Sequence, residues 1–432
     1  MKAMWMVLFM VLPLLGIAYV TWHLWVLVPL HNLWKLLIIG LGVASFALLF
    51  LSMARRFDTL PLWLAQGCYE VGTSSLFVLL YLVMLFLVLD VGRLCHIVPR
   101  AFLYNNMTSA VVLLALVTAV FVYGNLHYRH KVRVALDIPT EKALPHDYRV
   151  VMLTDLHLGY HNTRRELARW VDIINGEHPD LVLIAGDIID GSIRPLLEEC
   201  MAEEFHRLTA PVYACLGNHE YYAGTPEAQQ FYRDAGIRLL SDSAAVVDSA
   251  LVIIGRDDLT NRRRKSVKDL TRQLPHLGKG QGEGYTILLD HQPYHLEQAE
   301  QAAIDFQLSG HTHRGQVWPV SWVTDALYEC SWGSHRRGNT RYYVSSGLGI
   351  WGGKYRIGTQ SEYVVATIHS TARRHPADRR PHARLRQRRS PADGRRSADP
   401  HSLFCLMPPR TRTNARLAAT GRKFLITHFL II

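Results

Sequence analysis

The chain has 432 residues, of which 49% are hydrophobic, and a formal net charge of +11 at pH 7. This length predicts two or three domains. The positive charge is concentrated in residues 371–432, which hold 14 Arg and 1 Lys against 3 Asp, whereas the rest of the chain has 32 basic and 33 acidic residues. A nucleic-acid partner, the usual inference from a basic chain, is therefore not expected for the folded part of the protein.

The first 126 residues are mostly apolar and contain four candidate membrane spans. These stretches cover residues 4–27, 33–53, 76–91 and 109–124. A helix needs about 20 apolar residues to cross the hydrocarbon core of a bilayer, and four such helices in a soluble protein would need a very large core around them. The first stretch is too long for a signal peptide and no cleavage site follows it. Residues 1–126 are therefore predicted to form a membrane anchor of about four transmembrane helices.

Basic residues near the span ends predict the orientation of this anchor. With the N-terminus inside, the cytoplasmic set is Lys2, Arg55, Arg56, Arg129, Lys131 and Arg133, and the outer set is Lys35, Arg93 and Arg100. The larger inner set favours a multi-pass protein of the inner (cytoplasmic) membrane whose C-terminal domain faces the cytoplasm. The spans carry almost no ionisable residue at mid-depth, so the helices are interpreted as an anchor and not as a transport pathway.

The remaining residues divide into a linker over 127–146, a globular domain over 147–370 and an Arg-rich tail over 371–432 that is expected to be disordered. At the start of the globular domain, apolar runs alternate with amphipathic stretches, which predicts a parallel sheet with crossover helices. The predicted strands here are 149–154, 181–185 and 212–216, and the predicted helices are 164–175 and 196–207. Later strands are predicted at 251–255, 286–289, 305–308, 342–345 and 363–368. This order favours two packed sheets with helices outside.

Short segments rich in potential metal ligands follow five of these strands. They are Asp155-Leu156-His157, Gly186-Asp187-Ile188-Ile189-Asp190, Gly217-Asn218-His219-Glu220, Leu289-Asp290-His291-Gln292-Pro293 and Gly310-His311-Thr312-His313. Each segment alone has an ordinary alternative as a polar strand end, a turn or a helix N-cap. Together they should meet at the carboxyl ends of the strands, where α/β sheets form their sites. Carboxylate and imidazole groups without thiolates suit Mn, Fe or Zn, and two divalent ions about 3.5–4 Å apart would share one carboxylate.

Two local expectations concern the backbone of these segments. The glycines that precede Asp187, Asn218 and His311 are expected to permit tight turns that direct the next side chain into the site. His311 and His313 are two residues apart, so on an extended segment they would share one face and reach two neighbouring metals.

These segments resemble the motifs of the calcineurin-like metallophosphoesterase superfamily, over about residues 147–368. The sequence Ser345-Ser346-Gly347-Leu348-Gly349, followed by Trp351-Gly352 and Arg356, resembles the bacterial membrane-associated branch, as does Gly315-Gln316. The resemblance implies an α/β fold, a four-layer αββα sandwich, here preceded by an α-helical transmembrane region.

The resemblance also implies roles for individual residues. One metal would be held by Asp155, His157 and His313. The other would be held by Asn218, His291 and His311, and Asp187 would bridge the pair. His219 would stand outside the ligand set, face the substrate and act as the general acid.

The expected function is that of a metal-dependent phosphoric ester hydrolase with two divalent ions, in which a metal-activated hydroxide attacks phosphorus. Asp187 and His219 are the predicted catalytic residues. The anchor favours the bilayer as a partner and a lipid-linked phosphodiester or pyrophosphate as substrate, such as the UDP-diacylglucosamine that some members of the superfamily cleave. The alternatives are a phosphoprotein or phosphomonoester phosphatase and a non-catalytic metal-binding scaffold. The scaffold is disfavoured because the full set of ligands is retained.

A basic run at residues 262–265 lies outside these motifs. It is interpreted as a solvated loop, with contact to anionic lipid headgroups as the alternative.

Overall fold

The structure is a computed structural model that describes residues 2–272 and 284–371, and side chains from residue 11 onward. The tail predicted at 371–432 lies outside the described residues beyond Thr371.

The N-terminal region consists of long apolar helices joined by short connections. They are α1 (Lys2–Leu27), α2 (Asn32–Met53), α3 (Leu62–Leu94), the short α4 (Arg100–Leu103) and α5 (Met107–Arg129). Helices α2, α3 and α5 are each long and apolar enough to cross a membrane, and α1 contains a shorter apolar stretch, Val11–Leu27. Each of the four predicted spans lies within one of these helices.

Helix α3 is much longer than its predicted span. It has 33 residues and begins at Leu62, not at residue 76. At 1.5 Å per residue it is about 50 Å long, which exceeds the roughly 30 Å of a bilayer's hydrocarbon core. The extra turns, residues 62–75, contact the globular domain.

The globular domain alternates strands with shorter helices. The helices are α6 (Arg164–Gly176), α7 (Arg194–Glu198), α8 (Ala202–Phe205), α9 (Asn218–Ala223), α10 (Thr225–Asp234), α11 (Val267–Arg272), α12 (Glu297–Gln301) and α13 (Val320–Leu327). The strands are β1 (Lys131–Thr140), β2 (Tyr148–Leu153), β3 (Leu181–Ala185), β4 (Val212–Cys215), β5 (Arg238–Leu239), β6 (Ser243–Val247), β7 (Leu251–Gly255), β8 (Tyr285–Leu289), β9 (Phe306–Ser309), β10 (Gly333–Arg337), β11 (Thr340–Val344) and β12 (Ser361–Ser370). The helix predicted over 196–207 is interrupted, and α7 and α8 take its place.

The described strands form two sheets of six. The first has the order β1-β12-β2-β3-β4-β5 and the second the order β10-β11-β9-β8-β7-β6. Strands β2 to β5 are mutually parallel, as are β7, β8, β9 and β11, while β12, β6 and β10 each pair antiparallel with a neighbour. The carboxyl ends of the parallel strands in each sheet therefore lie along one edge.

The layers follow from the apolar clusters. One cluster lies between the sheets and contains Val150 and Leu183 from the first sheet and Ile253 and Ile287 from the second. A second cluster covers the outer face of the first sheet with α6 and α10, and a third covers the outer face of the second sheet with α11 and α12. The domain is thus a four-layer αββα sandwich.

Much of the region predicted as a linker, residues 127–146, has regular secondary structure. Residues 131–140 form β1, which pairs in parallel with β12 along its whole length, from Lys131 beside Ser361 to Thr140 beside Ser370. The strand is exposed on one face only, as its alternating burial indicates. Strand β1 begins two residues after α5 ends, so the first sheet is directly attached to this apolar helix.

A loop of the globular domain, residues 347–357, inserts between the membrane helices. Trp351 packs against the apolar cluster that Phe46, Leu49 and Met53 of α2 form. Tyr355 packs against Phe121 of α5, with ring centroids 4.7 Å apart. This loop also passes beside the candidate site, so the same loop contacts both the N-terminal helices and the site.

Candidate metal centre

The five ligand-rich segments meet at the carboxyl ends of five strands. Asp155 follows β2, Asp187 follows β3 and Asn218 follows β4, all in the first sheet; His291 follows β8 and His311 follows β9 in the second. The predicted convergence of these segments is therefore present.

One group of donor atoms is formed by Asp155, His157 and His313. The Nε2 atoms of His157 and His313 are 3.0 Å apart. Asp155 Oδ1 lies 3.5 Å from His313 Nε2 and 3.8 Å from His157 Nε2. Each of the three residues thus offers an atom toward the same point.

A second group is formed by Asp187, His291 and His311. His291 Nε2 lies 3.1 Å from Asp187 Oδ2 and 3.2 Å from the side-chain oxygen of Asn218. That oxygen is also 2.9 Å from His311 Nδ1, which brings Asn218 into this group.

Asp187 connects these two groups, and it also forms a third group of donor atoms with His157 and His219. Its Oδ2 atom lies 3.1 Å from His291 Nε2 and 3.6 Å from His157 Nε2. Its Oδ1 atom accepts a hydrogen bond of 2.9 Å from the backbone N–H of His219. The carboxylate is thus held by one oxygen and presents the other to both groups.

Five of the candidate ligands have a left-handed backbone conformation. The φ angles are 54° at Asp155, 45° at His157, 54° at Asp187, 70° at His311 and 47° at His313. Non-glycine residues rarely adopt such angles, and they are concentrated at functional sites.

Of the three glycines expected to permit tight turns, one has the backbone angle of such a turn, and the other two lie very close to candidate ligands. Gly186 has φ 80°, as expected for a tight turn. At Gly217 an added Cβ would collide with Asp187 Oδ1, and at Gly310 with Asp155 Oδ2. A side chain at either position would displace a candidate ligand.

The prediction that His311 and His313 lie on an extended segment is wrong. Thr312 between them is helical and His313 begins a 3₁₀ turn, so the chain bends sharply at this point. The two imidazoles still enter different donor groups. The turn directs them apart, and the alternation of side chains along a strand is not involved.

Backbone and carboxylate oxygens orient the imidazoles. His291 Nδ1 lies 2.8 Å from the carbonyl of Ala185, which only accepts, so Nδ1 carries the proton and Nε2 is left as the donor atom toward the site. His157 Nδ1 lies 3.1 Å from Asp190 Oδ1. His219 Nδ1 lies 2.8 Å from the carbonyl of Asp190, so the same reasoning places its proton on Nδ1.

Helix α3 directly contacts one of the carboxylates that orient the imidazoles. Tyr69 donates a hydrogen bond of 2.6 Å to Asp190 Oδ2, and Asp190 in turn contacts His157. The Tyr69 ring also stacks on His161, with centroids 5.0 Å apart.

A second connection runs through Arg356 of the 347–357 loop. Its side chain is fully buried, and Nη1 donates a hydrogen bond of 2.7 Å to the carbonyl of His313. Its backbone N–H donates to the carbonyl of Gly124 in α5 at 3.0 Å. Helices α3 and α5 therefore both support candidate ligands.

Glu220 ties the site loops together. Its carboxylate accepts backbone hydrogen bonds from Gly217 at 2.7 Å, Ile189 at 3.0 Å and Asp187 at 3.1 Å. Burial, reinforced by the charge of Asp187, raises the pKa of Glu220 to about 7.

The site is electrostatically unusual. Burial alone would raise the pKa of Asp187, but the neighbouring histidines, His291 first, hold it well below its usual range. Burial lowers the pKa of His219. Among the described residues, neither Asp155 nor Asp187 forms an ion pair with a lysine or arginine. Buried carboxylates and converging imidazole nitrogens without such partners form a donor set that fits divalent cations.

Comparison with known proteins agrees with this geometry. The calcineurin-like phosphoesterase family matches residues 148–315. An uncharacterized metallophosphoesterase of Aquifex aeolicus is 32% identical over 239 residues, which are 54% of this chain and 89% of that protein. The chain belongs to the calcineurin-like phosphoesterase family. This phosphoesterase is accordingly a metal-dependent phosphoric ester hydrolase.

Two further relatives extend the comparison. A Danio rerio protein named as a transmembrane protein with a metallophosphoesterase domain is 31% identical over 332 residues, which are 72% of this phosphoesterase and 75% of that protein. An uncharacterized metallophosphoesterase of Campylobacter jejuni is 32% identical over 239 residues, 54% of this chain and 62% of its own.

Sequence reasoning missed three residues that support the site of this phosphoesterase. Asp190 lies in one of the ligand-rich segments but has no predicted role, and neither Tyr69 nor Arg356 is predicted to contact the ligands. The basic run 262–265 is also more than a solvated loop, because Arg264 forms a buried ion pair of 2.9 Å with Asp290, the neighbour of His291. An aspartate three residues after Asp187 is the one sequence signal that could have been used.

Proposed function

We propose that the enzyme uses two divalent ions, Mn, Fe or Zn, and hydrolyses a phosphodiester or pyrophosphate bond of a lipid-linked substrate. The observation that carries the dinuclear site is Asp187 Oδ2, which lies within 3.6 Å of Nε2 atoms from both donor groups. One ion would be held by Asp155, His157 and His313, the other by Asn218, His291 and His311, with Asp187 between them. Two bound ions would supply a hydroxide nucleophile and neutralise the phosphoryl oxygens.

His219 is proposed as the general acid. Its Nδ1 proton is held by the carbonyl of Asp190, so Nε2 is the atom that exchanges a proton with the substrate. The ring is 8% exposed, and the Tyr222 ring lies 5.1 Å away. Burial lowers the pKa of His219, which makes its protonated form a stronger acid toward the leaving oxygen.

The lipid-linked substrate is proposed from the position of the site. The 347–357 loop and Tyr69 join the site to helices that are apolar enough to cross a bilayer. A site attached so closely to the anchor would meet substrates at the membrane surface, and UDP-diacylglucosamine is a compound of the right class. We further propose an inner-membrane location with the catalytic domain, residues 131–370, facing the cytoplasm.

Hydrolysis of bis-p-nitrophenyl phosphate and p-nitrophenyl phosphate by the detergent-purified protein tests this function. Cleavage should require Mn²⁺ and stop on chelation. His219→Ala should lower kcat by about 10²- to 10⁴-fold while metal content stays at the parental level. Loss of metal in that variant would instead make His219 a ligand or a structural residue.

The preferred ester decides between the enzymatic alternatives. Faster cleavage of the diester supports the proposal, whereas preference for the monoester would favour a phosphomonoester or phosphoprotein phosphatase. Bound metal without turnover of these esters or of UDP-diacylglucosamine in mixed micelles would favour the non-catalytic scaffold.

A further inference from the structure

Helix α13 of the globular domain turns large apolar side chains away from the protein. Trp322, Val323 and Leu327 are 65%, 55% and 64% exposed, and Ala326 is exposed as well. These four positions form one stripe along the helix, because successive residues are about 100° apart. In a globular protein such a stripe normally faces the core.

The side of α13 that contacts the domain carries polar residues. Ser321 is buried and Thr324 is half-buried. Asp325 is itself exposed, but it accepts a hydrogen bond from the buried Ser331. The usual arrangement of an amphipathic helix on a water-soluble domain is therefore reversed.

Trp318, just before the helix, extends the exposed apolar face. It is 40% exposed, and its ring centroid lies 5.3 Å from that of Trp322. A contiguous exposed patch of this kind marks an interaction surface. We call Trp318, Trp322, Val323 and Leu327 the α13 face.

The α13 face continues into the membrane helices. Tyr81 of α3 donates a hydrogen bond of 2.7 Å to the carbonyl of Trp318. Val317 and Val320 belong to the same apolar cluster as Phe77 of α3 and Phe121 of α5. Tyr81 lies about 7.5 Å along the helix axis from residue 76, where the predicted span of α3 begins, at 1.5 Å per residue.

We propose that the α13 face is inserted into the interfacial layer of the lipid bilayer, beside α3 and α5. Three observations select lipid as the occupant: the reversed amphipathicity, the paired tryptophans, and the continuity with helices that are long and apolar enough to cross a membrane. Tryptophan is enriched at membrane interfaces, and interfacial helices bury their apolar face about 5–10 Å into this layer. Since α13 begins seven residues after His313, its insertion would hold the candidate metal centre at headgroup depth.

Tryptophan quenching in reconstituted vesicles tests the insertion without any need for turnover. The full chain and the conservative variant Trp322→Phe are placed in phosphatidylcholine–phosphatidylglycerol vesicles, and the difference between their emission spectra reports on Trp322. Bromine on the acyl chains near the headgroup should quench this difference signal, and aqueous iodide should leave it largely unchanged. Trp332→Phe is the matched control, since Trp332 is partly buried and donates its N–H to Glu362 at 3.0 Å. The difference signal that reports on Trp332 should not respond to bromine.

Two results would overturn the proposal. Strong quenching of the Trp322 signal by iodide would mean that the α13 face lies in water. A signal protected from both quenchers would mean that a protein covers the face, and crosslinking of the vesicles would then identify a second copy of the chain. Because neither readout involves hydrolysis, a failure here is separate from a failure of the proposed function.

Discussion

Asp190 contacts three groups that orient or support the candidate site. One carboxylate oxygen contacts His157 Nδ1 at 3.1 Å, the other accepts from Tyr69 at 2.6 Å, and the carbonyl contacts His219 Nδ1 at 2.8 Å. A candidate ligand, the proposed acid and a membrane helix are thus fixed by a single side chain and its own backbone.

We expect Asp190→Asn to lower Mn²⁺ affinity by about 10- to 100-fold, because residues that orient metal-bound imidazoles have effects of this size. Tyr69→Phe should lower the affinity in the same direction but less, since it removes only the contact behind Asp190. Isothermal titration with Mn²⁺ on the detergent-solubilised protein measures both.

Tyr81→Phe is the matched control for Tyr69→Phe. Tyr81 lies on the same helix and also donates to the globular domain, but its partner is the carbonyl of Trp318 and not an orienting carboxylate. It should keep the parental affinity. Equal losses in the two variants would mean that any contact between α3 and the domain matters, and would contradict a specific role for Tyr69.

Asp187→Asn should reduce the bound metal to below one ion per chain and abolish hydrolysis. The amide offers one neutral oxygen where the carboxylate Oδ2 lies close to both donor groups. Metal content by mass spectrometry after gel filtration measures this, with Glu203→Gln, a change at an exposed surface carboxylate, as the control. Two ions retained per chain would contradict the bridging role.

Strand β1 is the element that joins the anchor to the first sheet. Glu177, just after α6, secures it by a 2.7 Å ion pair with Arg133 of β1 and a second ion pair with Arg149 of β2. The hydrogen bond from Arg133, followed by that from Arg149, lowers the pKa of the Glu177 carboxyl below its usual 4.5.

We expect Glu177→Gln to lower the free energy of unfolding by about 1 kcal/mol at neutral pH, since its arginine partners are partly exposed. A carboxyl with a lowered folded-state pKa stabilises the protein above its unfolded-state pKa, and that contribution is lost as the pH falls through the folded-state value. The difference between variant and parent should therefore stay constant from pH 7 down to the usual pKa of 4.5 and shrink as the pH falls further. A difference that does not change with pH would rule out the ionised pair as its cause.

At the level of elements, the sequence predicted the strands that are buried on both sides, because continuous apolar runs such as 181–185 and 251–255 have few other interpretations. It does not predict β1, β5, β6 and β10, which are the four edge strands and each carry residues exposed to solvent. The ligand segments could be placed because each follows a buried strand. Tyr69 and Asp190 are 121 residues apart, and no local pattern predicts that a membrane helix and a strand-end loop will meet.

At the scale of the whole molecule, the two ends of the N-terminal helical region have different surroundings. The start of α3, the end of α5 and the connection after α2 contact the globular domain; Arg194, for example, donates to the carbonyl of Phe57 at 3.0 Å. The connections before α2 and before α5 meet at the opposite end, where the Asn105 N–H donates to the carbonyl of Val26 at 2.8 Å. The basic residues predicted to be cytoplasmic and those predicted to be outside also lie at opposite ends of the helices. Arg133 has a second role, because it forms an ion pair with Glu177.

The proposed orientation predicts a protease result. In inverted inner-membrane vesicles, trypsin added outside should remove the globular domain, whereas in intact spheroplasts the domain should be protected. A known periplasmic protein serves as the control for spheroplast integrity. Cleavage in spheroplasts and protection in inverted vesicles would place the globular domain on the outer side.

Helix α3 also bears on how this enzyme can be studied in isolation. A soluble fragment starting near Lys131 would contain every candidate ligand, yet it would lack the Tyr69 hydroxyl and would place Trp351 and Tyr355 in water. Such a fragment should be prone to aggregation and poor in metal, and rate constants measured on it would describe a damaged site. Biochemical work and inhibitor screening are therefore better done on the intact chain in nanodiscs, where the N-terminal helices can keep their contacts with the candidate site.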